Sequence, residues 1–82
     1  MLIEQILWKS FDRRLAAFLL AEAKLEHSAT LHLTHEAIAN HMGTAREVVT
    51  RMLRYFQGEG WVKLARGTLQ LTDEPSLRAL AE

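Results

Sequence analysis

Apolar residues recur along this chain in two rhythms, a helical one and a strand-like one, and the boundaries between them carry recognisable caps and turns. Leu2, Ile3, Ile6, Leu7 and Trp8 form a short apolar stretch that reads as the end of a helix in need of a partner surface. Ser10 is placed to cap a second helix, with Asp12 in its first turn, where a negative charge meets the positive end of the helix dipole. That helix is expected to run to about Leu25. Phe11, Leu15, Phe18 and Leu19 repeat at helical spacing, and Leu20 and several alanines widen the stripe, as in a helix at the centre of a small core.

The middle of the chain changes rhythm. Residues 27–30 read as a loop, and Leu31 and Leu33 flank His32 as in a short strand. Thr34 is a cap for a helix from His35 to Met42 whose inward positions are expected to be Ala37, Ile38 and Met42. Gly43 ends it, because glycine tolerates the left-handed conformation of a helix terminus. Thr44, Ala45, Arg46 and Glu47 then spell a capping box, in which the threonine caps a new helix and the glutamate reaches back to the cap. This second helix is expected over residues 45–56. A helix, one glycine and another capped helix outline a helix-turn-helix.

Gly58 and Gly60 stop that helix. Two short strands follow, Trp61 to Ala65 and Thr68 to Leu71, joined by a tight turn at Arg66 and Gly67. Thr72 or Asp73 caps a last helix with Pro75 in its first turn, where a missing N–H does no harm. The order helix, helix, strand, helix, helix, hairpin, helix is mainly α with a small β-hairpin: a winged helix-turn-helix with the hairpin as the wing.

Composition narrows the classes of function. Eighty-two residues make one domain and leave no room for a large enclosed active site. Without cysteine there is no disulfide framework and no thiolate metal site. No apolar run reaches the ~20 residues of a membrane span, and the start of the chain lacks a signal-peptide pattern. A reducing, cytoplasmic setting is therefore expected. The formal net charge is zero, but the charge is unevenly placed. Residues 40–67 carry Arg46, Arg51, Arg54, Lys63 and Arg66 against only Glu47 and Glu59, whereas the flanking segments are net acidic. A local basic patch is the electrostatic footprint of a phosphate-binding surface.

The residues of that patch fall on one helix face. At ~100° per residue, Arg46, Glu47, Thr50, Arg51 and Arg54 lie within roughly 140° of one another. Val48, Val49, Met52, Leu53 and Phe56 occupy the opposite arc. Polar helix faces are usually just solvated. Here, however, the preceding helix, the glycine turn and the wing supply the context in which such a face enters the major groove of DNA. There arginine forks onto guanine and glutamate accepts from cytosine.

The stretch from Leu33 to Leu53, with Leu33-Thr34, Ile38-Ala39, Gly43, Arg46-Glu47, Val49, Arg51 and Leu53, resembles the helix-turn-helix of the cyclic AMP receptor protein/FNR (Crp/Fnr) family of bacterial transcription regulators. The similarity continues through Phe56, Gly58, Gly60 and the Gly67 turn and back into the Phe11 to Leu20 segment. The resemblance implies that Arg46, Glu47 and Arg51 read base edges, on a TGTGA-type half-site in the cyclic AMP receptor branch. It also implies that Thr34 touches a phosphate. Thr44, Thr50, Arg54, Lys63 and Arg66 join Thr34 as expected backbone contacts. Ala45 and Val48 depart from the serine and threonine common in the family.

Such regulators normally carry an N-terminal effector barrel and a long dimerisation helix. Residues 1–9 are accordingly expected to be a remnant of that helix and residues 10–82 the DNA-binding domain. The chain is then a fragment or a regulator reduced to its reading head, with no cofactor of its own and with homodimerisation expected of the full-length protein. By the same resemblance the segment from Glu22 to Thr30 is expected to contact RNA polymerase.

Other features weigh less. His32, His35, His41 and Glu36 invite a metal, but their spacing crosses a strand-to-helix boundary and has neither an HExxH pattern nor a cysteine. Phosphate-facing or exposed histidines are the simpler reading. Trp8 and Trp61 are expected to pack rather than stack on single strands. No catalytic constellation is present in the sequence, so an enzyme is not expected. The competing reading is a winged-helix protein-interaction module that never touches DNA, which has no need for Arg46, Glu47, Arg51 and Arg54 on one face.

Overall fold

The computed structural model describes the backbone of residues 2–82 and the side chains of residues 11–82. The elements are α1 (Leu2–Glu26), β1 (Thr30–Leu31), α2 (His35–Met42), α3 (Arg46–Gly58), β2 (Val62–Ala65), β3 (Thr68–Leu71) and α4 (Glu74–Ala81). The four helices and the small sheet are a winged helix-turn-helix. The apolar partner surface expected of Leu2 to Trp8, including Trp8 itself, lies outside the described side chains.

The two helices expected at the N-terminus are one. Ser10 lies inside α1 instead of capping a new helix. The reason is local: no glycine or proline separates Trp8 from Asp12, and a single serine inside a helix costs only tenths of a kcal/mol (~0.5). Along α1, Phe11, Leu15, Ala16, Leu19 and Ala23 are buried at helical spacing, and Phe18 and Leu20 pack at the margin. The helix closes with Ser28 N–H donating to the Ala23 carbonyl at 3.1 Å while His27 takes the left-handed conformation, φ 54°. A non-glycine residue there carries a strain of about 1 kcal/mol.

The sheet has three antiparallel strands in the order β1-β3-β2. The expected hairpin forms in the register Val62↔Leu71 to Ala65↔Thr68, so Arg66 and Gly67 make a two-residue turn. Gly67 sits at φ 73°, a conformation that glycine adopts without strain. The third strand is the short pairing Thr30↔Gln70 and Leu31↔Leu69. It is two residues long, so Leu33 falls outside it, half-buried. Leu31, Val62, Leu69 and Leu71 point into the core and Lys63 and Gln70 point out, as the two-residue period of a half-buried sheet requires. The Gln57 side-chain oxygen accepts from the Leu64 N–H at 2.7 Å and so satisfies one donor on the outer edge of β2.

Of the two candidate caps for α4, Asp73 performs the role. Its carboxylate accepts from Ser76 N–H at 3.2 Å and from the Ser76 hydroxyl at 2.7 Å, and Pro75 occupies the first turn. The Thr72 hydroxyl instead donates to the Gly60 carbonyl at 2.8 Å. α4 packs on α1, with Leu77 fully buried. One apolar core thus joins α1, α2, α3, the sheet and α4, and leaves α3 held along one side only.

Candidate nucleic-acid interface

The turn between α2 and α3 fixes how α3 is presented. Thr34 caps α2 as expected, its hydroxyl accepting from Ala37 N–H at 3.0 Å. Ile38, Ala39 and Met42 are the buried positions of α2, and Ala37 is exposed, so the inward face is rotated by one residue at its centre from the expected set. The pair Ile38 and Met42 still defines the stripe; an alanine contributes too little apolar surface to decide between neighbouring positions. At the end of α2, Gly43 takes φ 70°, and the Thr44 N–H donates to the Ala39 carbonyl at 3.0 Å. This is the left-handed helix closure that glycine favours. The Arg14 guanidinium on α1 donates to the Met42 carbonyl at 3.2 Å, tying the same helix end to the core scaffold.

That closure overturns the expected capping box. Thr44 is committed to ending α2, and the cap of α3 is Ala45, which has no side-chain hydrogen bond to offer. Glu47 therefore sits at the second helical position, one residue short of the reach a box requires. α3 runs from Arg46 to Gly58, close to the expected 45–56. With the cap role gone, the carboxylate of Glu47 is left on the exposed face.

The two faces of α3 separate as expected. Val49, Met52, Leu53 and Phe56 are fully buried, and Val48 is half-buried. Arg46, Glu47, Arg51 and Arg54 are exposed, and Thr50 is half-buried between them. Trp61 packs against Phe56 at 5.4 Å between ring centroids and edge-on to Tyr55 at 5.8 Å, which gives it a packing role.

Thr34, Arg46, Thr50, Arg54 and Arg66 meet around one open cleft formed by the start of α2, the face of α3 and the hairpin turn. Glu47, Arg51 and Lys63 are exposed but do not line it, and Thr44 lies at the opposite end of α2. The sequence-predicted residues thus divide into a cleft group and a group displayed further round the surface. The cleft also contains His35, one of the histidines read from the sequence as phosphate-facing or exposed but not placed among the expected DNA contacts. Its Nδ1 lies 2.8 Å from the Thr50 hydroxyl. Partial burial, then the nearby charges of Arg46 and Arg54, hold the His35 ring below the ordinary histidine pKa. A ring with a lowered folded-state pKa is protonated more easily in the unfolded chain, so this group favours the fold above pH ~6.5 and loses that contribution as pH falls. His41 stacks on Phe18 at 4.4 Å between ring centroids, away from the cleft. Among the described residues no group of three or more histidine, cysteine or acidic side chains is placed to hold a metal.

The comparisons with known proteins agree with the fold. A Crp-like helix-turn-helix domain matches residues 13–80. The transcriptional regulator SdrP of Thermus thermophilus is 34% identical over 98% of this chain and 43% of its own length. Among solved structures, a Crp/Fnr family protein of Eubacterium rectale is 57% identical, with a TM-score of 0.87 over 98% of this chain and 37% of that one. The catabolite activator protein of Thermus thermophilus is 26% identical, with a TM-score of 0.88 over 96% of this chain and 37% of that one. The chain thus spans less than half the length of each of these relatives. The match over residues 13–80 covers most of the sequence, and on it the chain belongs to the Crp-like helix-turn-helix domain family, the kind of domain carried by Crp/Fnr-type transcription regulators.

Proposed function

We propose that this domain is the DNA-reading head of a bacterial transcription regulator and docks on duplex DNA with the exposed face of α3 in the major groove and the β2–β3 hairpin against the backbone. One observation carries the reading. Arg46, Arg51, Arg54 and Arg66 stand exposed on α3 and the hairpin turn, while the other side of α3 is sealed in the core. Arg46, Glu47 and Arg51 read base edges. Thr34, Thr44, Thr50, Arg54, Lys63 and Arg66 contact phosphates, which position the protein without carrying sequence information directly. The action in this reading is binding and its setting the cytoplasm. Among the described residues no helix is long and apolar enough to cross a membrane.

The full-length regulator acts as a homodimer on two half-sites, with the first residues of α1 belonging to the dimerisation helix. The segment from Glu22 to Thr30 faces RNA polymerase. Leu25, 73% exposed within that segment, gives a protein partner an apolar contact point. Effector binding belongs to the N-terminal barrel of such regulators and not to these residues.

The test is the salt dependence of duplex binding, measured by fluorescence anisotropy. Each phosphate contact contributes about 0.9 to the slope of log affinity against log salt. Arg66→Ala is expected to weaken all duplex sequences about equally and to flatten the slope by roughly one contact. A changed sequence preference with an unchanged slope would show that the hairpin reads bases. No duplex binding at low salt favours the protein-interaction module instead.

A further inference from the structure

We propose that His35 is a phosphate-binding residue of the DNA interface that acts as an imidazolium, so that the domain takes up a proton as it docks on DNA; this rests on the DNA-binding reading above. The carrying observation is the pairing of His35 Nδ1 with the Thr50 hydroxyl at 2.8 Å, in the cleft that Arg46, Arg54 and Arg66 also line. That contact engages Nδ1, and Nε2 lies on the other edge of a ring that lines the cleft.

The hydrogen-bond inventory decides which protonation state suits a phosphate. A neutral imidazole has one donor and one acceptor nitrogen, and a hydroxyl has one proton to give. If Nδ1 accepts from Thr50, Nε2–H is offered outward but the hydroxyl presents only lone pairs. If Nδ1–H donates to Thr50, the hydroxyl proton turns outward but Nε2 presents a lone pair. Either neutral arrangement sets one donor beside one acceptor. Only the imidazolium offers two: Nδ1–H must donate to Thr50, the Thr50 proton then points out, and Nε2–H donates as well. Phosphate oxygens only accept, so they select this state, and the added positive charge favours it further.

The charges around His35 set the direction. From α3, Arg46 and Arg54 face it together with Thr50; from α2, Thr34 and Glu36 adjoin it; from the hairpin, Arg66 lines the same cleft. Burial and the two α3 guanidiniums keep the free ring neutral near pH 7. A phosphate arriving in the cleft offsets those guanidiniums and raises the ring's affinity for a proton. Histidine is the side chain whose charge changes near neutral pH, and His35 is the histidine that lines this cleft. With the bound-state pKa above the free-state one, affinity is greatest below the free pKa and falls as pH rises through the bound one.

The experiment measures binding of the 82-residue chain to a labelled duplex carrying a TGTGA half-site, at constant ionic strength, from pH 8 to pH 6. The parent is expected to bind about three- to tenfold tighter at pH 6, consistent with uptake of up to one proton. His35→Asn is expected to lose that slope, whatever its absolute affinity. In parallel, NMR titration of the His35 ring in the parent is expected to give a higher pKa in the complex than in the free chain, a readout that does not depend on the variant folding. An equal pH slope in parent and variant, or a ring pKa that is unchanged or lower on DNA, overturns the proposal and leaves the DNA-binding reading standing. No duplex binding at either pH overturns both.

Discussion

Phe56→Ala is expected to abolish cooperative folding, or to lower the melting temperature by about 15 °C or more, when followed by circular dichroism. The Phe56 side chain is fully buried on the inner face of α3 and packs against Trp61. Truncating a buried phenylalanine costs about 3–5 kcal/mol, from lost burial and from the cavity left behind. A domain this small has little reserve, since total stabilities are about 5–15 kcal/mol and small domains sit low in that range. For a chain of this size each kcal/mol moves the melting point by about 4–8 °C. Lys63→Ala, an exposed change in the hairpin, is expected to stay within about 0.5 kcal/mol of the parent. If Phe56→Ala melts within a few degrees of the parent, α3 is not anchored as described, and the rigid display of its outer face goes with it.

The second large effect concerns valency. Fusing a two-stranded coiled coil upstream of Leu2 is expected to tighten binding to a palindrome by about 10²–10⁴ over the unfused chain. The gain on a duplex with one half-site is expected to be far smaller. The physical cause is effective concentration: once one head is bound, the second searches only the volume its tether allows. The domain spans less than half of each compared relative, and the fusion supplies the pairing of two heads that the proposed homodimer requires. Anisotropy titrations on the two duplexes separate the cases. Equal gains on both would mean that the fusion adds charge or mass and does not align two heads on two half-sites.

What was legible in the sequence was local. Thr34 and Gly43 bracket α2 because a hydroxyl cap and a left-handed closure are each decided within a few residues. The hairpin follows from Arg66 and Gly67 between two alternating apolar runs. The inner face of α3 follows from helical spacing alone. The failures came where two local signals competed or where a contact was distant. Ser10 and Thr44 both resemble caps, yet α1 runs through Ser10, and Thr44 is used to close α2. The pairing of β1 with β3 joins residues about forty apart, and no turn signal announces it. The partner of His35 is illegible for the same reason. Its contact with Thr50 crosses from one helix to the next and depends on the angle set by the Gly43 turn. The spacing of the histidines argues against a metal and leaves them phosphate-facing or exposed, but it does not name their partners.

The central claim is that the exposed face of α3 reads base pairs. The most direct measurement is the sequence preference of the parent, Arg46→Lys, Arg51→Lys and Glu47→Gln on a randomised half-site, with each variant melted to confirm its fold. Arg46 and Arg51 lie five residues apart, ~7.5 Å along the helix axis, enough to address different base pairs. Lysine keeps the charge but loses the planar fork that grips guanine, and a good bidentate contact contributes about 1–3 kcal/mol of discrimination. Each lysine variant is therefore expected to relax preference at one position while non-specific affinity is nearly kept. Because Ala45 is the α3 cap, Glu47→Gln removes no capping bond and is expected to fold like the parent, with a shifted preferred base. Four folded proteins with one shared sequence preference would contradict the claim and leave the interaction module as the better account.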